Sequence, residues 1–130
     1  MSNGYSDFYN EVGPDVFNDM VQGFYRRVRT DDILGPMYPQ DDWEGAERRL
    51  LMFLEQYWGG PKTFSEERGH PRLRMRHFPF HIDMHARDRW LELMSASLEE
   101  IPSDRLSADH RTAIWNHMVQ VADMLINKHV

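Results

Sequence analysis

The chain contains no cysteine. That absence removes disulfide frameworks, thiolate zinc sites and the CxxCH attachment of a covalently bound haem, and it fits a reducing compartment. Long hydrophobic runs are missing too. No apolar stretch reaches the length of about 18 residues that a membrane helix needs, and the opening MSNGYSDFYNEVG lacks the basic start and apolar run of a leader. Positive charge is also in short supply: 15 Lys and Arg against 21 Asp and Glu give a formal charge of −6. Nucleic acid and anionic membranes reward the opposite balance, so neither is an expected partner and any basic site must be local. A cytoplasmic protein is the expectation.

What is present suits one folded unit. The 130 residues are 41% hydrophobic and include four tryptophans, which reads as a single domain over residues 1–130 with a flexible tail at 1–7. Nine methionines and 12% aromatics can fill a core or line a pocket for a flat apolar ligand. No segment alternates as a strand does, so the fold is read as all-α. Pro14 opens a helix on which Phe17, Val21, Phe24 and Val28 recur at helical spacing, with Tyr25 at the edge of that face. Gly35, Pro36 and Pro39 then make a corner that carries Tyr38. Asp42 caps the next helix, where Ala46, Leu50, Phe53, Leu54 and Tyr57 form a stripe ended by Gly59, Gly60 and Pro61.

An irregular connection from Gly59 to Pro71 follows, then a short helix RLRMRH that Pro79 stops. Two more helices complete the chain. One runs from Asp83 with Ala86, Trp90, Leu93, Met94, Ser97, Leu98 and Ile101 inward, and the last carries Ile114, Met118, Val121 and Leu125. This gives about five main helices.

The segment RGHPRLRMRHFPFHIDMH concentrates histidine and arginine. His77, His81 and His85 are each four apart, the spacing of zinc ligands on one helix face. Pro79 breaks that face between the first and second of them, and no carboxylate completes a zinc set. His81, His85, His110, His117 and His129 are read as surface or core residues with ordinary hydrogen bonds. His77 differs, because Leu73 lies one turn before it, Phe78 and Phe80 bracket the proline after it, and Arg72, Arg74 and Arg76 stand nearby. Spacing alone leaves two readings of this segment: an imidazole set for an iron porphyrin among apolar groups, or a helix with a solvated arginine face.

FLEQYWGGP followed by RGHPRLRMRH resembles the group II truncated haemoglobins, in their O-type actinobacterial branch, and the resemblance extends from about Phe8 through the last helix. It implies a shortened globin fold, a two-over-two helical sandwich around non-covalent haem b, with His77 as the iron ligand. The resemblance further implies a distal ligand site of Tyr25, Tyr38 and Trp90, with Ala46 where many globins keep a polar residue and Leu50 and Leu54 as an apolar roof. Arg49, Phe53, Tyr57, Phe64, His70, Leu73, Arg76 and Phe80 would complete the haem contacts. Two departures stand out. Gly13 precedes Pro14 where the family often has a glycine pair, and Phe64 replaces a tyrosine whose hydroxyl could reach a haem propionate, leaving that role to Arg49 and the arginines near His77.

The function implied is reversible binding of oxygen, carbon monoxide or nitric oxide at a five-coordinate iron, with oxygen held tightly by tyrosine and tryptophan hydrogen bonds. The same scaffold could act as a haem enzyme on peroxide, nitric oxide or peroxynitrite, served by a reductase. A helical module whose basic segment meets an acidic partner is the alternative of another class. Trp43 is read as local packing, with a contact to a second copy in a homo-oligomer as its alternative.

Overall fold

The computed structural model describes residues 4–128, with side chains from residue 7. Seven α-helices occur among the described residues: α1 (Gly4–Val12), α2 (Pro14–Val28), α3 (Trp43–Tyr57), α4 (Thr63–Arg68), α5 (Leu73–His77), α6 (Met84–Glu99) and α7 (Ala108–Leu125). A 3-10 turn, Gly35–Met37, forms the corner before α3. None of these helices is long and apolar enough to cross a membrane.

Local chemistry accounts for the boundaries. Gly13 takes φ +92°, a left-handed conformation that glycine adopts without a steric penalty, and Pro14 follows at the first helical position of α2, where a missing N–H costs nothing. The Asp42 carboxylate accepts from Gly45 N at 3.1 Å and Asp83 from Ala86 N at 2.8 Å, while the Ser107 hydroxyl accepts from His110 N at 3.2 Å. Each such cap contributes about 1 kcal/mol.

The 4-3-4 stripe of α2 is the centre of the core. Phe17, Val21, Phe24 and Val28 are all 0% exposed, and each buried side chain of this kind stabilises the fold by about 1.5–3 kcal/mol. Helix α2 packs on both α3 and α6, and α6 packs on α7, so two helical pairs, α2/α3 and α6/α7, meet across the α2–α6 contact. At Gly23 the two helices come close, since a Cβ there would stand 2.4 Å from Ser97 Oγ. That hydroxyl is buried and donates to the Met20 carbonyl at 2.6 Å, so one small residue and one hydrogen bond set the spacing of the two pairs. The fold is therefore the all-helical, two-over-two arrangement.

Three boundaries correct the sequence reading. Helix α1 begins at Gly4, so residues 4–7 of the expected tail are helical, while residues 1–3 lie outside the described ones. Helix α1 carries no long apolar stripe of its own; it is fastened at one end by Phe8, stacked on Trp58 at 4.0 Å, and by Tyr9, whose N–H donates to the Trp58 carbonyl at 3.0 Å and whose hydroxyl donates to Glu55 at 2.8 Å. The connection from Gly59 to Pro71 contains α4, six residues too short to show a period. Helix α5 starts at Leu73 rather than directly after Pro71, because Arg72 has φ +45°, the left-handed region.

Candidate cofactor and ligand site

His77 ends α5, a five-residue helix with no buried residue. Its Nδ1 lies 2.7 Å from the Leu73 carbonyl oxygen. A carbonyl can only accept, so this contact puts the imidazole proton on Nδ1 and leaves the lone pair on Nε2, the arrangement in which a histidine is oriented and made more basic for a metal. Phe80 stands 6.4 Å away, ring to ring. Hydrophobic burial does not hold this short helix in position. Arg76 Nε donates to the Pro71 carbonyl at 2.6 Å and its Nη2 to the Arg68 and His70 carbonyls at 2.9 and 3.4 Å, which ties the preceding loop down. From beyond α7, Asn127 Nδ2 donates to the Phe80 carbonyl at 2.9 Å and the His77 carbonyl at 3.3 Å, while its Oδ1 accepts from Ile82 N at 2.9 Å. Sequence reasoning missed Asn127, fifty residues from the histidine it steadies and outside any motif. His70 is exposed and meets Arg76 through its carbonyl.

A cluster of cations adjoins this wall. Arg68 and Arg76 lie over the Phe64 ring at 6.0 and 5.6 Å. Burial, then the charges of Arg76 and Arg49, push the Arg68 guanidinium below its ordinary range, so three arginines repel one another there. A carboxylate placed among them would relieve that repulsion, which is the chemistry a propionate asks for. Phe64 is buried and packs on Phe53 at 6.1 Å, offering an apolar base in place of the family hydroxyl. Arg68 is a second residue missed in the sequence; the repulsion itself is the signal, and it exists only once the loop is folded.

In the aromatic cluster at the corner before α3, Tyr25 from α2 is buried, and Tyr38 and Trp90 are half-buried. Tyr25 meets Tyr38 edge to face, ring centroids 5.5 Å apart, and the Trp90 indole and the Tyr25 hydroxyl are the donors that neighbour the Tyr38 hydroxyl. Burial pushes the Tyr38 hydroxyl to about 12 despite these two donors, and Tyr25, also buried and beside Tyr38, rises further, so both stay protonated donors. Trp43 stacks on Tyr38 at 5.7 Å and carries Arg29 over its ring at 5.6 Å; it is half-buried, as local packing requires. Asp31 fixes the corner, accepting from Leu34 N at 2.9 Å, Ile33 N at 3.1 Å and Arg89 of α6 at 2.6 Å. Burial would raise the Asp31 carboxyl, but these hydrogen bonds outweigh it and hold it below the usual carboxylate range.

The α3 stripe is split. Ala46 and Leu54 are buried, whereas Leu50 and Phe53 are half-buried and Tyr57 is exposed. Together with half-buried Leu73 and exposed Phe80, these side chains are apolar surface that a flat apolar ligand would cover. Arg49 pairs with Asp42 at 3.2 Å. A histidine nitrogen of fixed tautomer, open apolar rings and mutually repelling arginines together fit a haem.

Tyr57 is stacked on His117 at 3.6 Å, beside Trp58, in an open cavity of about 330 Å³ that adjoins Phe8 of α1 and is separate from the Tyr25–Tyr38–Trp90 cluster. His117 departs from the reading of an ordinarily hydrogen-bonded residue: it is 6% exposed and its Nδ1 has no hydrogen-bond partner. Burial pulls its imidazole down to about 4, so it is neutral. His81 pairs with Asp83 at 3.5 Å and His110 with Glu11 at 3.1 Å; His85 is exposed and His129 lies outside the described residues. Among the described residues no three His, Cys, Asp or Glu side chains group as metal ligands.

Residues 7–126 match the model of the bacterial-like globin family. The chain is 33% identical to the group 2 truncated hemoglobin YjbI of Bacillus subtilis over 128 residues, covering 98% of this chain and 94% of that protein. Its structure is similar to a thermostable hemoglobin from Thermobifida fusca, at 46% identity and a TM-score of 0.85, over 92% of this chain and 96% of that one. It is also similar to a truncated oxygen-avid haemoglobin from Bacillus subtilis, at 32% identity and a TM-score of 0.85, over 92% and 98% of the two chains.

Proposed function

Since the chain belongs to the bacterial-like globins, among the group II truncated haemoglobins, we propose that it is a single-domain protein that binds haem b without covalent attachment and retains oxygen. The observation that carries this reading is the 2.7 Å contact from His77 Nδ1 to the Leu73 carbonyl, which leaves the Nε2 lone pair as the group that would hold the haem iron. When bound, the haem supplies an iron with one position open to a diatomic gas. Everything else is done by the chain's own groups.

Arg49, Arg68 and Arg76 hold the propionates, and Phe53, Phe64, Leu73 and Phe80 cover the ring, with Tyr57 and His70 at its margin. On the distal side, Ala46, Leu50 and Leu54 present no polar atom, so the hydrogen bonds to a gas come from the aromatic cluster alone. Tyr38 is its hub. Accepting from Trp90 and Tyr25, it keeps its own proton for an oxygen molecule, and Trp90 can turn its N–H from Tyr38 to the same oxygen. A partly anionic acceptor strengthens each such bond to about 1.5–3 kcal/mol, so release is slow. The similarity to a structure described as oxygen-avid supports the same reading. Cytoplasmic location, with carbon monoxide and nitric oxide as further ligands, belongs to it too.

Adding haemin to the purified protein and recording ferric, ferrous and carbonmonoxy spectra tests the proposal. One equivalent should be taken up with a Soret band typical of histidine-ligated haem. A protein that remains colourless would overturn it.

A further inference from the structure

Most of the arginines outside residues 68–76 are neutralised. Arg26 and Arg27 pair with Glu100, Arg48 with Glu67, Arg49 with Asp42, Arg87 with Asp88 and Asp123, Arg89 with Asp31, and Arg105 with Asp19. Arg111 is spent on the Leu98 and Ile101 carbonyls, and Arg29 lies on Trp43. By contrast Arg68, Arg72, Arg74 and Arg76 form no ion pair among the described residues, and residues 68–82 contain no Asp or Glu at all. In a chain of charge −6, these four arginines lie together at the wall that carries His77, and with Arg68 and Arg76 turned to the propionates, Arg72 and Arg74 remain as its uncompensated cations.

Within that wall lies apolar surface. Phe78 is 78% exposed and Met75 60%. They line an open groove of about 480 Å³ with Arg74, Pro79, Leu125 and Asn127. An exposed phenylalanine and methionine rimmed by cations have the composition of an interface centre with a charged rim.

We propose that this face docks an acidic electron-donor protein carrying a flavin, which keeps the iron ferrous; the inference rests on the haem reading above. Phe78 directly follows His77 in the chain, so a donor seated on the groove stands against the wall that holds the axial imidazole. One electron leaves the reduced flavin and converts ferric iron to ferrous; no covalent bond is made or broken. The arginine rim selects the partner. A two-fold dimer through the same face would set Arg72 and Arg74 of one copy against those of the other, a like-charge contact that nothing nearby offsets.

The test uses the haem-loaded protein with reduced flavodoxin, an acidic flavin protein, as the probe. Flavodoxin should reduce the ferric form in a second-order step that slows about tenfold as ionic strength rises from about 20 to about 300 mM. Arg74→Glu should slow that step to a similar degree, and Phe78→Ser should slow it at both ionic strengths. Reduction by dithionite, which needs no docking, should be unchanged in all three proteins. In a titration of the 15N-labelled carbonmonoxy form, flavodoxin should shift amides of residues 72–80 and 125–127. Salt-independent reduction equal in wild type and Arg74→Glu, or amide shifts confined to other surfaces, overturns the docking site. So does finding that these residues bind phosphatidylglycerol vesicles, or pair two copies, while flavodoxin leaves them untouched. Dithionite reduction followed by a normal carbonmonoxy spectrum would leave the haem reading standing in any of those cases.

Discussion

The two walls of the site are built by different forces. The distal wall is an outgrowth of the core: Tyr25 sits on a helix whose inward residues are fully buried, and the Tyr38 corner is locked to α6 through Asp31 and Arg89. The proximal wall has almost no hydrophobic support. Helix α5 buries none of its residues and is positioned by carbonyl bonds to Arg76 and by the reach of Asn127. Burial of that kind persists as long as the domain is folded, whereas partly exposed hydrogen bonds compete with water and contribute about 1 kcal/mol each. On the proposed reading the gas-facing side would be preformed, and the iron-facing side would be completed by the haem.

Tyr38→Phe is the strongest way to break this contrast. It removes the hub proton and strips both Trp90 and Tyr25 of their acceptor, so oxygen dissociation measured by stopped flow should speed about a hundredfold, or ~3 kcal/mol. Trp90→Phe, which leaves the hub in place, should give at least about a tenfold change. Unchanged rates in both variants would mean that these donors do not touch the gas.

A next smaller effect lies in the buried half, at His117. Its imidazole is pulled from 6.5 to about 4. The unfolded chain takes up a proton between those values that the folded chain refuses, so stability is whole above about pH 6.5 and is lost as pH falls toward 4. The complete shift corresponds to ~3 kcal/mol, and relaxation around α1 reduces the expected loss to about 2 kcal/mol. Denaturant unfolding at pH 7 and at pH 4.5 reads it. His117→Phe, which keeps a ring for Tyr57 to stack on, should flatten the pH dependence; an identical slope in the variant would assign the effect elsewhere.

Gly23→Ala probes the joint between the helical pairs. Its Cβ would displace Ser97 from the Met20 carbonyl, and the lost hydrogen bond and crowding exceed the gain in helix propensity, for a net cost of about 1–2 kcal/mol in thermal unfolding. A variant as stable as the parent would show that α2 and α6 separate freely. Asn127→Ala should cost least, about 1 kcal/mol, and should fall on the proximal wall. Haemin transfer to an apomyoglobin acceptor would become several-fold faster while the oxygen off-rate stays put. The reverse result would erase the distinction between the walls.

The same contrast explains what the sequence discloses. The helices of the distal side are legible because core helices have a period: the 4-3-4 stripe locates α2, the Asp42 cap locates α3 and the stripe from Asp83 locates α6, while Tyr25, Tyr38 and Trp90 themselves are singled out only through the family resemblance. His77 stands out through its neighbours Leu73, Phe78 and Phe80, but the identification of its role required the family resemblance. Helix α4 is too short for a period, and α1 is held by partners that arrive from α3. Arg68 and Asn127 are invisible in one dimension because their roles consist of distant contacts: mutual repulsion with Arg49 and Arg76, and a bridge across fifty residues. The meeting of Tyr25 and Tyr38 is equally a property of the folded corner.

The most direct measurement is the ferric absorption spectrum of the haem-loaded His77→Gly protein, recorded before and after free imidazole is added. Loss of the native band, with its return once imidazole occupies the vacated place, is the predicted result. A spectrum that the substitution leaves unaltered would contradict the assignment of the iron ligand and with it the division of labour between the walls.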